Sequence, residues 1–206
     1  MLDRVLLELG CGRKVRLLEA VGEKYRLALG LDYELPRELS SDGSWAVIKA
    51  TAQRIPLEPQ SVDVVASIHV FEHLADPGAV FAQCHRVLRP GGRLVLFTAN
   101  KWFPPIALAR IFPNRLRTAL NKLVSTTPKY ETFPAYYRAN AATPLRQMAL
   151  GAGFTVQQLG YVSDHPHYFT FSVGLYRLAI LLERSMQKRD YLSRFQNFIF
   201  GTFIRV

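Results

Sequence analysis

Cysteine is scarce in this sequence: the chain of 206 residues has two, Cys11 and Cys84, far apart and in no paired ligand spacing. That excludes a disulfide framework and a four-cysteine zinc site, and it fits a reducing cytosol. Long apolar runs are missing as well. No stretch reaches the roughly 18 residues that a membrane span needs, so the expectation is a soluble or at most peripheral protein. The opening "MLDRVLLELG" mixes acid and base ahead of a very short apolar run, unlike a secretory signal. There is no internal repeat and no low-complexity tract. The third scarcity is of acid in the second half. Residues 1–100 hold 12 Lys/Arg and 12 Asp/Glu, whereas residues 101–206 hold 14 and 4, so the whole net charge of +10 lies there. Surface charge speaks to partners and not to fold, which suggests a neutral core carrying a basic, partner-specific extension.

What is present reads as one α/β domain. With 49% hydrophobic and 20% charged residues the chain can bury a sizeable core. Val5–Leu9 is a short buried-strand run that ends in Gly10-Cys11-Gly12, and Arg13–Tyr25 follows with helical spacing of Val15, Leu18 and Val21. Leu27–Leu31, Trp45–Lys49 and Val62–Ser67 read as three further strands. Pro77–Leu88 reads as a helix stopped by "RPGG", and Arg93–Thr98 as the fifth strand. Strands alternating with helices predict a doubly wound, Rossmann-like, mostly parallel sheet with right-handed crossovers.

Such sheets bind ligands off the carboxyl ends of the strands, where strand order reverses. Gly10 and Gly12 permit a tight turn there, and Asp32, about twenty residues on, ends the second strand where a carboxylate can accept both hydroxyls of a ribose. A dinucleotide fingerprint needs glycine or alanine at its third small position, where this chain has Val15, so NAD is disfavoured. No G-K-[ST] follows a glycine-rich turn, which excludes a P-loop.

Ile68–His73, "IHVFEH", spells H-x-x-E-H, the pattern of a zinc hydrolase with two histidine ligands and a glutamate base. The same letters fit a strand running into a helix in a nucleotide-binding sheet.

Taken together, Glu8-Leu9-Gly10-Cys11-Gly12, Asp32, Ala52-Gln53 in "TAQRIPL", "SVDVVASIHVFEHLADP" and "RVLRPGGRLVLFTAN" resemble the class I S-adenosylmethionine-dependent methyltransferases, in the small-molecule group with an ELGCG first motif. The resemblance covers about residues 5–100 and recurs weakly near the C-terminus. It implies a Rossmann-like methyltransferase sheet, mostly parallel with an antiparallel C-terminal strand, and S-adenosylmethionine as cofactor. By the same resemblance Glu8, Gly10, Cys11 and Gly12 hold the methionine portion, Asp32 and Tyr33 the ribose, and Thr51, Ala52 and Gln53 the adenine side, with Ser67 and His69 completing the pocket. "EHLADP" recurs in family members that carry no metal there, although some relatives acting on quinol precursors use an E-x-x-E-H metal site. No metal is expected here; Glu72 and His73 read as a satisfied helix start and His69 as a pocket residue. The chain departs from the pattern at Lys14, where a third glycine is usual, and at Thr51, where many members have Asp. It also begins almost on its first strand, so the expectation is that either the second half covers the cofactor or the site is more open than usual.

That second half opens with Lys101–Tyr130, which carries Lys101, Arg110, Arg115, Arg117, Lys122 and Lys129, no acid, and interleaved apolar residues from Trp102 to Leu123. Such a segment suits an anionic lipid surface, a nucleic acid or an anionic substrate, or forms a lid with a solvated basic face. Pro144–Leu150 and Thr155–Val162 read as the last helix and sixth strand, Tyr176–Met186 as an amphipathic run, and Phe198–Ile204 as the closing strand. The expected partition is a core of residues 1–100, 144–162 and 198–206 with a cap of about 101–143 and 163–197. A hydroxyl acceptor benefits from a base, for which His69, then Tyr137 and His165, are candidates, whereas an amine or carbanion acceptor needs none; the sequence does not distinguish oxygen, nitrogen and carbon methylation, and His165 and His167 share a loop. The expected acceptor is a small or a lipid- or glycan-linked molecule, anionic or not, in the cytoplasm, with peripheral membrane contact through 101–129 and no nucleic acid. The alternative is a non-catalytic Rossmann-like module that docks on a membrane or polyanion.

Overall fold

The computed structural model describes residues 2–35, 43, 45–111, 134–163 and 172–206. Seven strands form one sheet: β1 (Leu2–Leu9), β2 (Tyr25–Asp32), β3 (Trp45–Lys49), β4 (Val62–Ile68), β5 (Leu88–Ala99), β6 (Phe154–Val162) and β7 (Phe198–Arg205), in the order β3-β2-β1-β4-β5-β7-β6. Pairings among β1 to β5 are parallel, and β7 lies antiparallel between β5 and β6. Strand order therefore reverses between β2–β1 on one side and β4 on the other, which opens a crevice at the carboxyl ends of β1 and β4.

Alternation along the strands builds two core layers. Val5, Leu7 and Leu9 of β1 join one cluster with Val65, Leu94, Leu96, Ile199 and Phe203, under Phe81 of helix α2 (Pro77–Val87) and Leu145 of helix α4 (Ala142–Gly151). Leu6 faces the other way and packs with Leu18 of helix α1 (Arg16–Val21), Ala28 and Trp45. Gly30 makes the second layer possible, because a Cβ there would lie 2.7 Å from both Cys11 Sγ and Leu18 Cδ1. Fully burying one leucine or phenylalanine is worth about 1.5–3 kcal/mol, so these alternating positions dominate the choice of register.

Several boundaries differ from the sequence expectation. The first helix covers Arg16–Val21 and passes through a 3-10 turn at Gly22–Lys24, since Gly10, Gly12 and Val15 all take positive φ and hold the chain out of helical geometry before Arg16. Leu88 opens β5 and pairs with Val62, and a register shift absorbs the turn before Arg93 pairs with Val64. The "EH" of "IHVFEH" lies in a 3-10 turn, Phe71–His73, and not in an α-helix. Beyond the sheet, α3 (Pro104–Ile111) follows β5, and α5 (Val173–Lys188) and the short α6 (Asp190–Ser193) precede β7. Arg115, Arg117, Lys122, Lys129, His165 and His167 lie outside the described residues. Among the described residues no helix is long and apolar enough to cross a membrane.

Candidate active site

The turn after β1 is built by two neighbouring strand ends. Gly10 N–H donates to the Leu31 carbonyl at 2.7 Å, and Gly12 N–H donates to Asp32 Oδ2 at 3.0 Å, while Asp32 Oδ1 accepts from Glu34 N–H at 2.9 Å. Gly10 has φ +68°, and a Cβ on it would come within 2.3 Å of Val70 Cγ2, so the residue after β1 must be glycine for the loop after β4 to close over it. Glu8, Gly30 and Asp32 alternate onto the same face as Leu6 and Ala28. Glu8 is buried and its Oε2 has no partner among the described residues. Burial first, and the nearby Asp32 carboxylate second, push the Glu8 carboxyl up to about 7. Burial, with Glu8 and Asp32, pushes the Cys11 thiol up to about 12, which makes Cys11 a packing residue and not a nucleophile.

The remaining expected cofactor residues ring the same end of the sheet. Tyr33 is exposed next to Asp32. The loop 50–54 is joined to β2 by Ala50 N–H donating to the Asp32 carbonyl. Within it, Thr51 Oγ1 accepts from Gln53 N–H at 3.1 Å, so the hydroxyl shapes the loop; Thr51 and Gln53 are exposed and Ala52 half-buried. Ser67, on β4 opposite Leu9, is buried with its hydroxyl lacking a partner among the described residues.

His69 closes the site from β4. It sits at φ +57°, its N–H donates to the Phe97 carbonyl at 2.9 Å, and its ring meets Phe97 and Phe198 edge-on, each at 5.2 Å between centroids. Nδ1 lies 3.3 Å from Glu72 Oε1, and the imidazole side chain remains 48% exposed, open to an incoming molecule. Glu72 lies in the first turn of the 3-10 helix, as a satisfied helix start would, but it is buried, and its Oε2 accepts from Thr98 Oγ1 at 2.7 Å. Thr98 Oγ1 in turn accepts from Asn140 Nδ2 at 2.7 Å, and Asn140 Nδ2 also donates to the Ala99 carbonyl. Burial raises the Glu72 carboxyl, but the hydrogen bonds from His69 and Thr98 outweigh it and hold the group below the ordinary range. Glu72 is therefore a carboxylate that orients His69.

The segment 134–141 straps across this network. Tyr136 and Tyr137 N–H both donate to the Glu72 carbonyl, at 2.8 and 3.2 Å, and Lys101 N–H donates to the Asn140 carbonyl. Tyr137, half-buried and at φ +52°, thus reaches the same end as His69. His73 Nδ1 lies 3.2 Å from the Pro134 carbonyl, so the two histidines of "IHVFEH" serve different partners. Among the described residues no group of three or more His, Cys, Asp or Glu is placed to hold a metal ion. Sequence reading missed Thr98 and Asn140, which lie far from His69 along the chain; no local pattern marks a buried hydroxyl that meets an asparagine from a strap.

The residues suit a cofactor with a cationic amino-acid end and a ribose. Beside the turn at Gly10 to Gly12, Glu8 keeps an orphaned buried carboxyl oxygen, and each Asp32 oxygen, holding one backbone N–H, keeps a further acceptor site; Ser67, in register with Leu9, has its orphaned hydroxyl on the opposite face of the sheet.

Comparison with known proteins agrees with this architecture. The profile of a family described as "Methyltransferase domain" matches residues 7–96. The ubiquinone biosynthesis O-methyltransferase of Saccharophagus degradans is 33% identical over 107 residues, which are 48% of this chain and 45% of that protein. The protein of the same name from Pseudomonas aeruginosa is 33% identical over 104 residues, 47% of this chain and 44% of its own length. The chain thus spans about half the length of the curated relatives it matches. Geranyl diphosphate C-methyltransferase from Streptomyces coelicolor, solved with Mg2+, geranyl diphosphate and S-adenosyl-L-homocysteine, has a TM-score of 0.61 at 16% identity, covering 99% of this chain and 71% of that one. The cyclopropane synthase of Mycobacterium tuberculosis has a TM-score of 0.59 at 21% identity, covering 98% and 78%. At such identities the likeness is one of fold. The match to the methyltransferase family covers residues 7–96, the span from β1 into β5, and the solved methyltransferases share the fold of nearly the whole chain.

Proposed function

We propose that the protein methylates a hydroxyl oxygen of a small, lipid-linked or glycan-linked acceptor, with His69 as the base. The observation that carries this reading is the pair His69–Glu72 at the carboxyl end of β4: a half-exposed imidazole held at Nδ1 by a buried carboxylate. Bound S-adenosylmethionine supplies an activated methyl on a sulfonium, whose departure needs no acid. Glu8 and the turn 10–12 hold the methionine end, Asp32 and Tyr33 the ribose, and Thr51, Ala52 and Gln53 the adenine side, while Ser67 lines the floor. Glu72 fixes His69 in the tautomer that carries its proton on Nδ1, which leaves the Nε2 lone pair to take the hydroxyl proton as the new C–O bond forms. Glu72 then stabilises the imidazolium. The strap 134–141, with Tyr137, covers the site and limits water. The described residues 101–111, 134–143 and 172–197 belong to the cap, and the basic residues between 101 and 129, of which those from 112 on lie outside the described residues, attract an anionic acceptor or membrane surface in the cytoplasm. The names of the similar O-methyltransferases support an oxygen acceptor.

The test is a methyl-transfer assay with tritiated S-adenosylmethionine and a panel of hydroxyl-bearing lipids and glycolipids. His69→Gln is expected to lower kcat by about 10²-fold or more and to change S-adenosylhomocysteine affinity far less. An unchanged kcat would remove His69 as the base.

A further inference from the structure

Helix α5 exposes an apolar ridge. Leu178, Leu181 and Leu182 are 52%, 60% and 52% exposed, and at spacings of three and four residues they share one face. Arg177 and Arg184, seven positions apart and both exposed, flank that ridge, and the apolar surface continues beyond the helix at Tyr191, 62% exposed. A buried residue fixes where the chain lies just after α6. Asn100, at the end of β5, donates through Nδ2 to the carbonyls of Arg194 and Gln196, both at 2.7 Å, and accepts at Oδ1 from Trp102 N–H at 3.0 Å. The end of the α5–α6 segment and Trp102, itself 52% exposed, are therefore tied to one point on the rim that carries His69.

We propose that the outer face of α5, with Tyr191 and Trp102, is an interfacial surface that docks on an anionic phospholipid bilayer. Charge complementarity selects this occupant. Arg177, Arg184, Lys188, Arg189 and Arg194 stand against Glu183 and Asp190 between positions 173 and 194, within a half-chain of 14 Lys/Arg and 4 Asp/Glu. Leucines on the outer face with arginines at their edge are the arrangement by which an amphipathic helix lies in the headgroup region, its cations on anionic lipid and its apolar side chains below them. Docked there, the rim of the site faces the membrane, where an acceptor with a lipid tail need not leave the bilayer. The surface itself does not depend on the methyl-transfer reading, because docking is measured without cofactor or acceptor.

The experiment is sedimentation of the whole protein with vesicles of phosphatidylcholine alone and of phosphatidylcholine mixed with phosphatidylglycerol. Partitioning onto the anionic vesicles is expected, falling as salt is raised toward roughly 1 M, where screening acts over about 3 Å. L178S/L181S/L182S and, separately, R177Q/R184Q are each expected to lower the partition coefficient by about tenfold or more while leaving S-adenosylhomocysteine binding intact. Trp45 is buried and Trp102 exposed, so brominated lipid should quench the fluorescence of Trp102. The proposal is overturned by wild-type protein that ignores both vesicle types, by substituted proteins that partition like wild type, or by self-association that the leucine substitutions abolish. The last result would assign the ridge to a second copy of the chain.

Discussion

Glu8 and Glu72 are both buried, yet their surroundings push them in opposite directions. Among the described residues Glu8 Oε2 has no hydrogen-bonding partner, and burial, then the Asp32 carboxylate, raise the group from 4.5 to about 7. A raised carboxyl contributes its stability fully below about 4.5, and that contribution is lost as pH rises through about 7. Glu72, held low by His69 and Thr98, behaves oppositely: its contribution is full above 4.5 and disappears as pH falls through its depressed value. Glu8→Gln should therefore gain thermal stability relative to wild type as pH is raised from 4.5 to 7, in the absence of cofactor. The cofactor's ammonium would give Glu8 its missing partner, so binding near neutral pH should release a proton. Calorimetry in buffers of different ionisation heat reads this release, and Glu8→Gln should abolish it; equal release in both proteins would place the cation elsewhere.

Among the elements, the strap 134–141 is held to the sheet by few bonds, and Thr98 stands at their centre, donating to Glu72 and accepting from Asn140. Thr98→Val keeps the shape and strands both partners, so denaturant unfolding should show a loss of about 1–3 kcal/mol, together with a lower kcat as His69 loses its fixed carboxylate. A neutral substitution would mean that water replaces the hydroxyl. This network marks the limit of what the sequence carried. Strands Val5–Leu9 and Trp45–Lys49 were legible because apolar runs bounded by glycine or charge can be read locally, and Gly10, Gly12 and Asp32 because a strand end demands them. Glu72 was read as a helix start, where the 3-10 turn puts it, but its bond from Thr98, 26 positions away, and the bond to Thr98 from Asn140, 42 further on, form only through the fold. The first helix was overextended because φ +37° at Val15, a β-branched residue, has no signature in composition.

For the molecule as a whole, a charge-balanced first half carries the crevice and the second half holds the whole net charge of +10. Raising salt should weaken a charged acceptor and leave cofactor affinity nearly constant, because exposed charges are screened beyond about 8 Å at physiological ionic strength. Replacing Arg110, Arg115 and Arg117 with Gln tests the same point without changing solvent. Unaltered acceptor kinetics in both experiments would leave the basic segment a solvated lid over a neutral acceptor site. The central claim is that the crevice between β1 and β4 binds S-adenosylmethionine, and calorimetric titration of the intact protein tests it most directly. Stoichiometric binding of S-adenosylmethionine and S-adenosylhomocysteine is expected, with none for NAD, and Asp32→Ala should weaken both by about 1–3 kcal/mol as ribose hydrogen bonds are lost and the turn at Gly12 loosens. Absence of binding to either would contradict the account and leave a Rossmann-like module without catalysis; unchanged affinity in Asp32→Ala would put the ribose at another residue.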